Sequence, residues 1–379
     1  MDILQSEHTP LYFYDLSVLR TTLNEIKRHL SHLPWPAVVH YAVKANCHPR
    51  ILGEIAWHGL GADLVSGGEI LAAIDAGFPP QSMAFSGVGK TDQEIRLALT
   101  RHIGCLNVES IPEMEVINQI AGELGCTAPI AIRVNPDIDA HTHRYTTTGI
   151  ATSKFGIGIE LLPEVAQRAM ALPNVHLRGL HFHIGSQIIQ MQPYVMLCET
   201  VNKLLDECDS LGIPIETINV GGGLGIDYNQ PVEHQMPLFD EYFGTFTQLK
   251  LRPGQELHFE LGRAIVGQCG TLISRVLYVK ESRNKRFVSL DAGMTDLIRP
   301  ALYEAHHLIQ NITAAEDEGS VLYDVVGPVC ESSDVFAHDC PLPVTRRGDL
   351  IAIRSAGAYG QSMASTYNMR QLPNAAFSL

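Results

Sequence analysis

The chain has 379 residues, of which 45% are hydrophobic and 18% charged, and carries 27 basic against 41 acidic residues for a net charge of −14. This composition excludes bulk disorder, and the acidic balance argues against a nucleic-acid partner because like charges repel. The length exceeds what one compact core usually holds, so two domains are expected, one of which can be a barrel of about 250 residues.

The N-terminus, Met1-Asp2-Ile3-Leu4-Gln5-Ser6-Glu7, lacks a basic start followed by an apolar core, so no signal peptide is expected, and no apolar run is long enough for a membrane span. Leu11–Tyr14 reads as a short strand, and Leu16–Leu30 carries apolar residues at helical spacing. Eight strand-like segments then follow, at 37–43, 62–65, 83–86, 105–108, 130–134, 177–183, 217–220 and 257–260. Helical stretches lie between them, as at 113–124, 161–171, 194–211 and 238–249. Alternation of this kind predicts parallel strands with crossover helices, and eight periods over about 230 residues predict a (β/α)8 barrel. A doubly wound open sheet would show fewer units and a Gly-rich first turn. The polar piece 137–152, with His141, His143, Tyr145 and Gly149, reads as a long loop after the fifth strand, at the face where lids occur. Beyond about residue 264 the pattern becomes short alternating runs, at 271–279, 287–290, 321–326 and 349–353, which predict an antiparallel β-domain. The expected division is 1–30 as a segment joining the β-domain, 31–264 as the barrel and 265–379 as the β-domain. The eight scattered cysteines form no Cys-x-x-Cys pair, as expected of free thiols in a reducing cytoplasm.

Several motifs fall at strand ends, where barrels do chemistry. Lys44, in Tyr41-Ala42-Val43-Lys44-Ala45-Asn46, follows the first strand on a short turn; a partly desolvated amine there becomes nucleophilic toward an aldehyde, although a lysine after a strand is more often an ordinary surface residue. Gly221-Gly222-Gly223-Leu224-Gly225 follows the seventh strand and suits a phosphate cradle. In His181-Phe182-His183-Ile184-Gly185-Ser186, alternation puts both histidines on one side and Phe182 on the other. No third ligand at metal spacing accompanies them, so no metal is expected; each imidazole suits a hydrogen-bonded core position or the face of a flat ring. Glu260, in Glu260-Leu261-Gly262-Arg263, can keep a pyridine nitrogen protonated, and the same spacing also fits a salt bridge to Arg263.

In the β-domain, Cys330 and Glu331 place a thiol beside a carboxylate, in a motif where the cysteine is either a proton donor or an inert side chain. Arg299 and Tyr303 are four apart across Pro300 and form either a clamp for one carboxylate or a surface pair. Tyr359, in Gly357-Ala358-Tyr359-Gly360, sits in a loop and can reach a phosphate oxygen.

Taken together these motifs resemble the diaminopimelate decarboxylase family, of the fold-type III group that uses pyridoxal phosphate. The resemblance runs from Tyr41-Ala42-Val43-Lys44-Ala45-Asn46 to Tyr367-Asn368. It includes Ala62-Asp63-Leu64-Val65-Ser66-Gly67-Gly68-Glu69, Phe85-Ser86-Gly87-Val88-Gly89-Lys90, Asn135-Pro136-Asp137, Ser153-Lys154-Phe155-Gly156 and Gly327-Pro328-Val329-Cys330-Glu331-Ser332. It implies a (β/α)8 barrel with a C-terminal β-sandwich, Greek-key-like, that takes in the N-terminal strand. It further implies that Lys44 carries the cofactor as an imine and that His183 stacks on its ring. Glu260 would pair with the ring nitrogen, and Asp63 would be among the cofactor-binding residues. Ser186, Gly222, Gly223, Gly262, Arg263 and Tyr359 would surround the phosphate.

Cys330 would return a proton to the decarboxylated carbon, entering the site of a neighbouring subunit in a head-to-tail homodimer. Arg263, Arg299, Tyr303, Glu331 and Tyr359 would contact substrate. The implied reaction converts meso-2,6-diaminopimelate to L-lysine and carbon dioxide. Leu261 stands where the family usually has proline, which keeps a secondary-pathway decarboxylase, such as a siderophore enzyme, in view. Ornithine or lysine decarboxylases usually have Asp where Glu331 stands. A racemase or a cofactor carrier on the related barrel is disfavoured by the Cys330-Glu331 motif and by the long β-domain.

Overall fold

The computed structural model describes residues 8–140, 149, 153–314 and 319–378. His141, His143 and Tyr145 of the expected loop after the fifth strand lie outside the described residues. Two compact units emerge: residues 23–225 with 238–262, and residues 8–22 with 226–237 and 263–378.

The first unit is a closed parallel barrel. Its strands are β1 (Ala37–Ala42), β2 (Gly61–Leu64), β3 (Met83–Phe85), β4 (Cys105–Val108), β5 (Ala128–Asn135), β6 (Val175–His181), β7 (Thr217–Gly222) and β8 (Glu256–Leu261). Neighbours in sequence are neighbours in the sheet, and β8 pairs with β1 to close it. A two-residue strand, Ile157–Gly158, attaches to β5 outside this count.

Period-2 alternation explains the inside of the barrel. Along β8, Leu257, Phe259 and Leu261 face one way, and Phe259 packs its ring against Tyr242, Phe243 and Phe246 of the helix Phe239–Phe246. His258 and Glu260 therefore face the interior, where His258 Nδ1 lies 3.0 Å from Nε2 of His40 on β1. Helix starts follow their caps. The helix Ile111–Leu124 begins where Ser110 Oγ accepts the Glu113 N–H at 3.3 Å, with Pro112 in its first turn.

The second unit is built on one connected eight-stranded sheet, mostly antiparallel. Its longest strand, Gly270–Ser282, pairs antiparallel with Leu11–Tyr14, Lys285–Leu290 and Leu350–Ile353. The N-terminal strand thus belongs to this sheet, as the sequence led us to expect. Two pairings are parallel: Leu11–Tyr14 with Asn374–Phe377, and Lys285–Leu290 with Ser320–Val326. Among the described residues, no helix is long and apolar enough to cross a membrane.

Candidate active site

The C-terminal ends of the barrel strands converge on a cavity of about 420 Å³ whose lining includes Lys44, Ser86, Lys90, Arg133, His183 and Glu260. This is the face at which an α/β barrel places its chemistry.

Lys44 stands on a single 3-10 turn, Val43–Ala45, directly after β1. Its Nζ donates to Asp63 Oδ2 at 3.0 Å. Asp63 comes from the end of β2, in register with Ala42, and is 1% exposed. Burial pushes the Asp63 carboxyl above its ordinary range, the Glu260 charge adds to this, and Lys44 opposes both. The other oxygen, Oδ1, is buried without a hydrogen-bond partner among the described residues.

Glu260 is also buried. Oε2 lies 2.9 Å from His181 Nε2, while Oε1 accepts from Asn219 Nδ2 at 2.8 Å. Burial raises the cost of charging this carboxyl, but His181 and Lys44 outweigh it and hold it well below the usual carboxylate range. Leu261, where proline is commoner in the family, is buried and continues β8 in register with Tyr41 of β1.

His183 lies just past β6, and its Nδ1 accepts the Gly222 N–H at 3.3 Å. An accepting Nδ1 leaves the proton on Nε2 of a neutral ring. Burial first, then the Lys44 charge, lowers its pKa to about 3, so this imidazole stays uncharged. Both histidines line the cavity, which agrees with the expectation that alternation puts them on one side.

The glycine turn after β7 works through close approach. A Cβ on Gly222 would fall 1.7 Å from the Glu260 carbonyl oxygen. Gly223, at φ +94°, would put a Cβ 2.4 Å from the Gly185 carbonyl oxygen. The N–H groups of Gly221 and Gly222 are directed inward, to Asn219 Oδ1 and His183 Nδ1. Ser186 is half-buried nearby in sequence, and Gly262 is buried.

In the second unit, Arg263 and Arg299 form a cationic cluster with tyrosines. Arg263 Nη1 donates to Tyr228 Oη at 2.6 Å, and its guanidinium lies 4.9 Å from the ring centre of Tyr359. Arg299, at the start of the helix Arg299–Tyr303, lies 4.7 Å from the Tyr228 ring and 2.9 Å from His307 Nε2. Burial lowers the Arg299 pKa, and the Arg263 charge adds to that. Burial opposes the charged form of Arg263, and Tyr228, Tyr359 and, least of the three, Tyr303 favour it. Tyr359 takes a left-handed φ of 56°, an unusual position for a bulky side chain. Cys330 and Glu331 are exposed; Cys330 N–H donates to Asn368 Oδ1 at 3.3 Å, and Tyr367 Oη donates to Glu331 Oε1 at 2.7 Å.

Sequence reading missed Tyr228, His307, Asn219 and Arg133. Asn219 lies two residues before the glycine turn and Tyr228 three residues past it, which are the local signals among them. Arg133 is held by Glu109 at 2.6 Å and lies over Phe155.

An amine beside a buried acid, a neutral flat imidazole and an ionised carboxylate at one barrel mouth define an enzyme for an aldehyde-bearing aromatic cofactor. Residues 19–267 match the family model described as "Pyridoxal-dependent decarboxylase, pyridoxal binding domain". The chain belongs to this family of pyridoxal-dependent decarboxylases. It is 55% identical to a diaminopimelate decarboxylase of Bacteroides thetaiotaomicron, over 98% of this chain and 96% of that one. It is 41% identical to a diaminopimelate decarboxylase of Vibrio cholerae, over 97% of this chain and 87% of that protein. The crystal structure of diaminopimelate decarboxylase from Helicobacter pylori complexed with L-lysine superposes with a TM-score of 0.94 at 40% identity, over 100% of this chain and 93% of that one.

The residues present fit pyridoxal phosphate. The cavity is of small-cofactor size, Asp63 Oδ1 is a buried acceptor still lacking a donor, and the ionised Glu260 suits a cationic ring nitrogen.

Proposed function

We propose that this protein removes one carboxyl group of meso-2,6-diaminopimelate as carbon dioxide and yields L-lysine, using pyridoxal 5′-phosphate held in the barrel. The observation that carries the chemistry is the donor set fixing Glu260 as an anion in the cavity that also holds Lys44. The 55% identity to a diaminopimelate decarboxylase supports the choice of substrate.

When bound, pyridoxal phosphate supplies an aldehyde for an amine and a cationic ring that takes up the electron pair released with carbon dioxide. Lys44 would hold the cofactor through Nζ, with Asp63 Oδ2 orienting that amine. His183 would lie against the ring face, since a neutral imidazole adds no charge there. Glu260 would keep a proton on the ring nitrogen. Ser186, Gly222, Gly223 and Gly262 are the barrel's candidates for the phosphate. Arg263 and Tyr359 are the second unit's candidates for an anionic group, phosphate or carboxylate.

Arg263, Arg299 and Tyr303 would serve the distal carboxylate of the substrate, and Glu331 its distal ammonium. Cys330 Sγ would deliver a proton to the carbon that lost its carboxyl group. The exposure of Cys330 and Glu331 supports their service in a second copy of the chain, hence a homodimer. The eight free cysteines support a cytoplasmic location.

The test is product formation by cofactor-loaded protein given meso-diaminopimelate. Equal amounts of lysine and carbon dioxide are expected, and neither from Lys44→Ala. Undiminished turnover by Lys44→Ala would overturn the reading.

A further inference from the structure

Glu260 has a donor on each oxygen. Oε1 accepts from Asn219 Nδ2 at 2.8 Å and from Asn107 Nδ2 at 3.4 Å. The Asn107 amide is itself anchored, since Nδ2 also donates to Ser86 Oγ at 2.9 Å. Oε2 lies 2.9 Å from His181 Nε2. The carboxylate and the imidazole are 5% and 1% exposed, so no bulk water competes for either. A protonated carboxyl would need an acceptor, and amide nitrogens offer none. The imidazole is therefore the group that decides whether Glu260 carries a proton.

His181 Nδ1 is buried and has no hydrogen-bond partner among the described residues. Among the described residues nothing on that side draws the proton from Nε2, and the acceptor that fixes the ring's tautomer is Glu260. His183 nearby is neutral, whereas the Lys44 charge also faces Glu260 and favours its anion. Asp63 opposes it. Of these groups, His181 is the one in direct hydrogen-bond contact with the carboxylate.

We infer that His181 is a positioning residue for the reaction: its Nε2–H holds Glu260 ionised and fixed in rotation, so that Glu260 keeps a proton on the cofactor's ring nitrogen. The inference rests on the proposed role of Glu260. A histidine that merely fills the barrel would need no donor at Nε2, and this difference can be measured.

The experiment compares His181→Phe, His181→Asn, His181→Gln and Glu260→Gln with the parent protein, all loaded with pyridoxal phosphate. Cofactor content, the visible absorption of the resting protein, kcat and KM are read for each. His181→Gln keeps a donor near the Nε2 position, and His181→Asn is too short to reach Oε2. His181→Phe and His181→Asn are expected to bind cofactor and lose roughly tenfold or more in kcat, the scale of losing a partner that orients a reacting group. Their KM should stay within about threefold, and their absorption should move in the direction seen for Glu260→Gln. His181→Gln should restore both properties. Should His181→Phe fail to fold, the contrast between Asn and Gln decides. Asn and Gln variants that behave alike, or a folded His181→Phe with parental absorption and kcat while Glu260→Gln alters both, would overturn the inference. A Glu260→Gln protein with parental absorption and kcat would instead overturn the role of Glu260.

Discussion

Lys44 Nζ and Asp63 Oδ2 are joined across 3.0 Å, with the acid 1% exposed and the amine's side chain 39% exposed. The acid is anchored inside the barrel while the amine reaches its mouth. A buried carboxylate has little to gain except from this partner, because burial alone raises its pKa. Asp63→Ala therefore removes the group that orients the amine. A charge-assisted hydrogen bond contributes about 1.5–3 kcal/mol, so cofactor affinity should fall roughly tenfold to a hundredfold. Titration of the visible band with pyridoxal phosphate checks this; unchanged affinity would remove Asp63 from the cofactor site.

Replacing Lys44 itself by alanine should abolish the visible band of the cofactor bound through its amine. No other lysine lies on the turn after β1 to substitute for it. Absorption spectra of dialysed protein give the answer. A parental band in the variant would mean that another amine holds the cofactor.

The barrel was legible in the sequence because period-2 alternation and helical spacing are local signals. They located each strand to within a few residues and put Glu260 at the end of the eighth; that it faces the interior follows from the packing of Phe259 on the helix layer, which the fold supplies. The partners of Glu260 were not legible. Asn219 and Asn107 stand on other strands, and only barrel closure brings their amides to the same carboxylate. The same holds for Tyr228, whose contacts with Arg263 and Arg299 depend on how the second unit folds. The glycine turn was read as an anion cradle, but its N–H pattern needed the fold: Gly221 and Gly222 donate inward.

Phe259 offers a test of the barrel's packing. It is fully buried against three aromatic side chains of one helix. Phe259→Ala should destabilise the protein by about 3–5 kcal/mol, the usual loss for an aromatic side chain removed from a core. Denaturant unfolding followed by far-ultraviolet circular dichroism measures it. A loss below about 1 kcal/mol would contradict the packing.

Acid should weaken the fold from below about pH 6.5. Burial lowers the pKa of His40 and His258 to about 4, and of His183 and His307 to about 3. Each is neutral in the folded protein where the unfolded chain binds a proton, so stability falls as pH drops through this window. Glu69 and Asp296 act oppositely, because burial raises their carboxyls to about 7 and about 6 and favours folding at lower pH. Asp63 acts in the same sense as these two. Four histidines against three carboxyls, at pH 5, leave the unfolded state with roughly one to two more protons. The unfolding midpoint in denaturant should therefore be lower at pH 5 than at pH 7. An equal or higher midpoint at pH 5 would show that these histidines are not buried neutral.

The role in specificity proposed for Glu331 has its own test. Glu331 Oε1 accepts from Tyr367, which fixes the carboxylate's direction. Glu331→Ala should leave cofactor binding unchanged and raise KM for diaminopimelate roughly tenfold, as expected when a charged substrate group loses its partner. Steady-state kinetics decide it, and a parental KM would move recognition of the distal ammonium elsewhere.

The most direct test of the account is carbon dioxide release by the purified, pyridoxal-phosphate-loaded protein, offered meso-diaminopimelate, ornithine, lysine and arginine in turn. Release from diaminopimelate alone, with lysine as the product, is the predicted result. Release from ornithine, lysine or arginine at a comparable rate would contradict the assigned substrate, and release from none of the four would contradict the proposed activity itself.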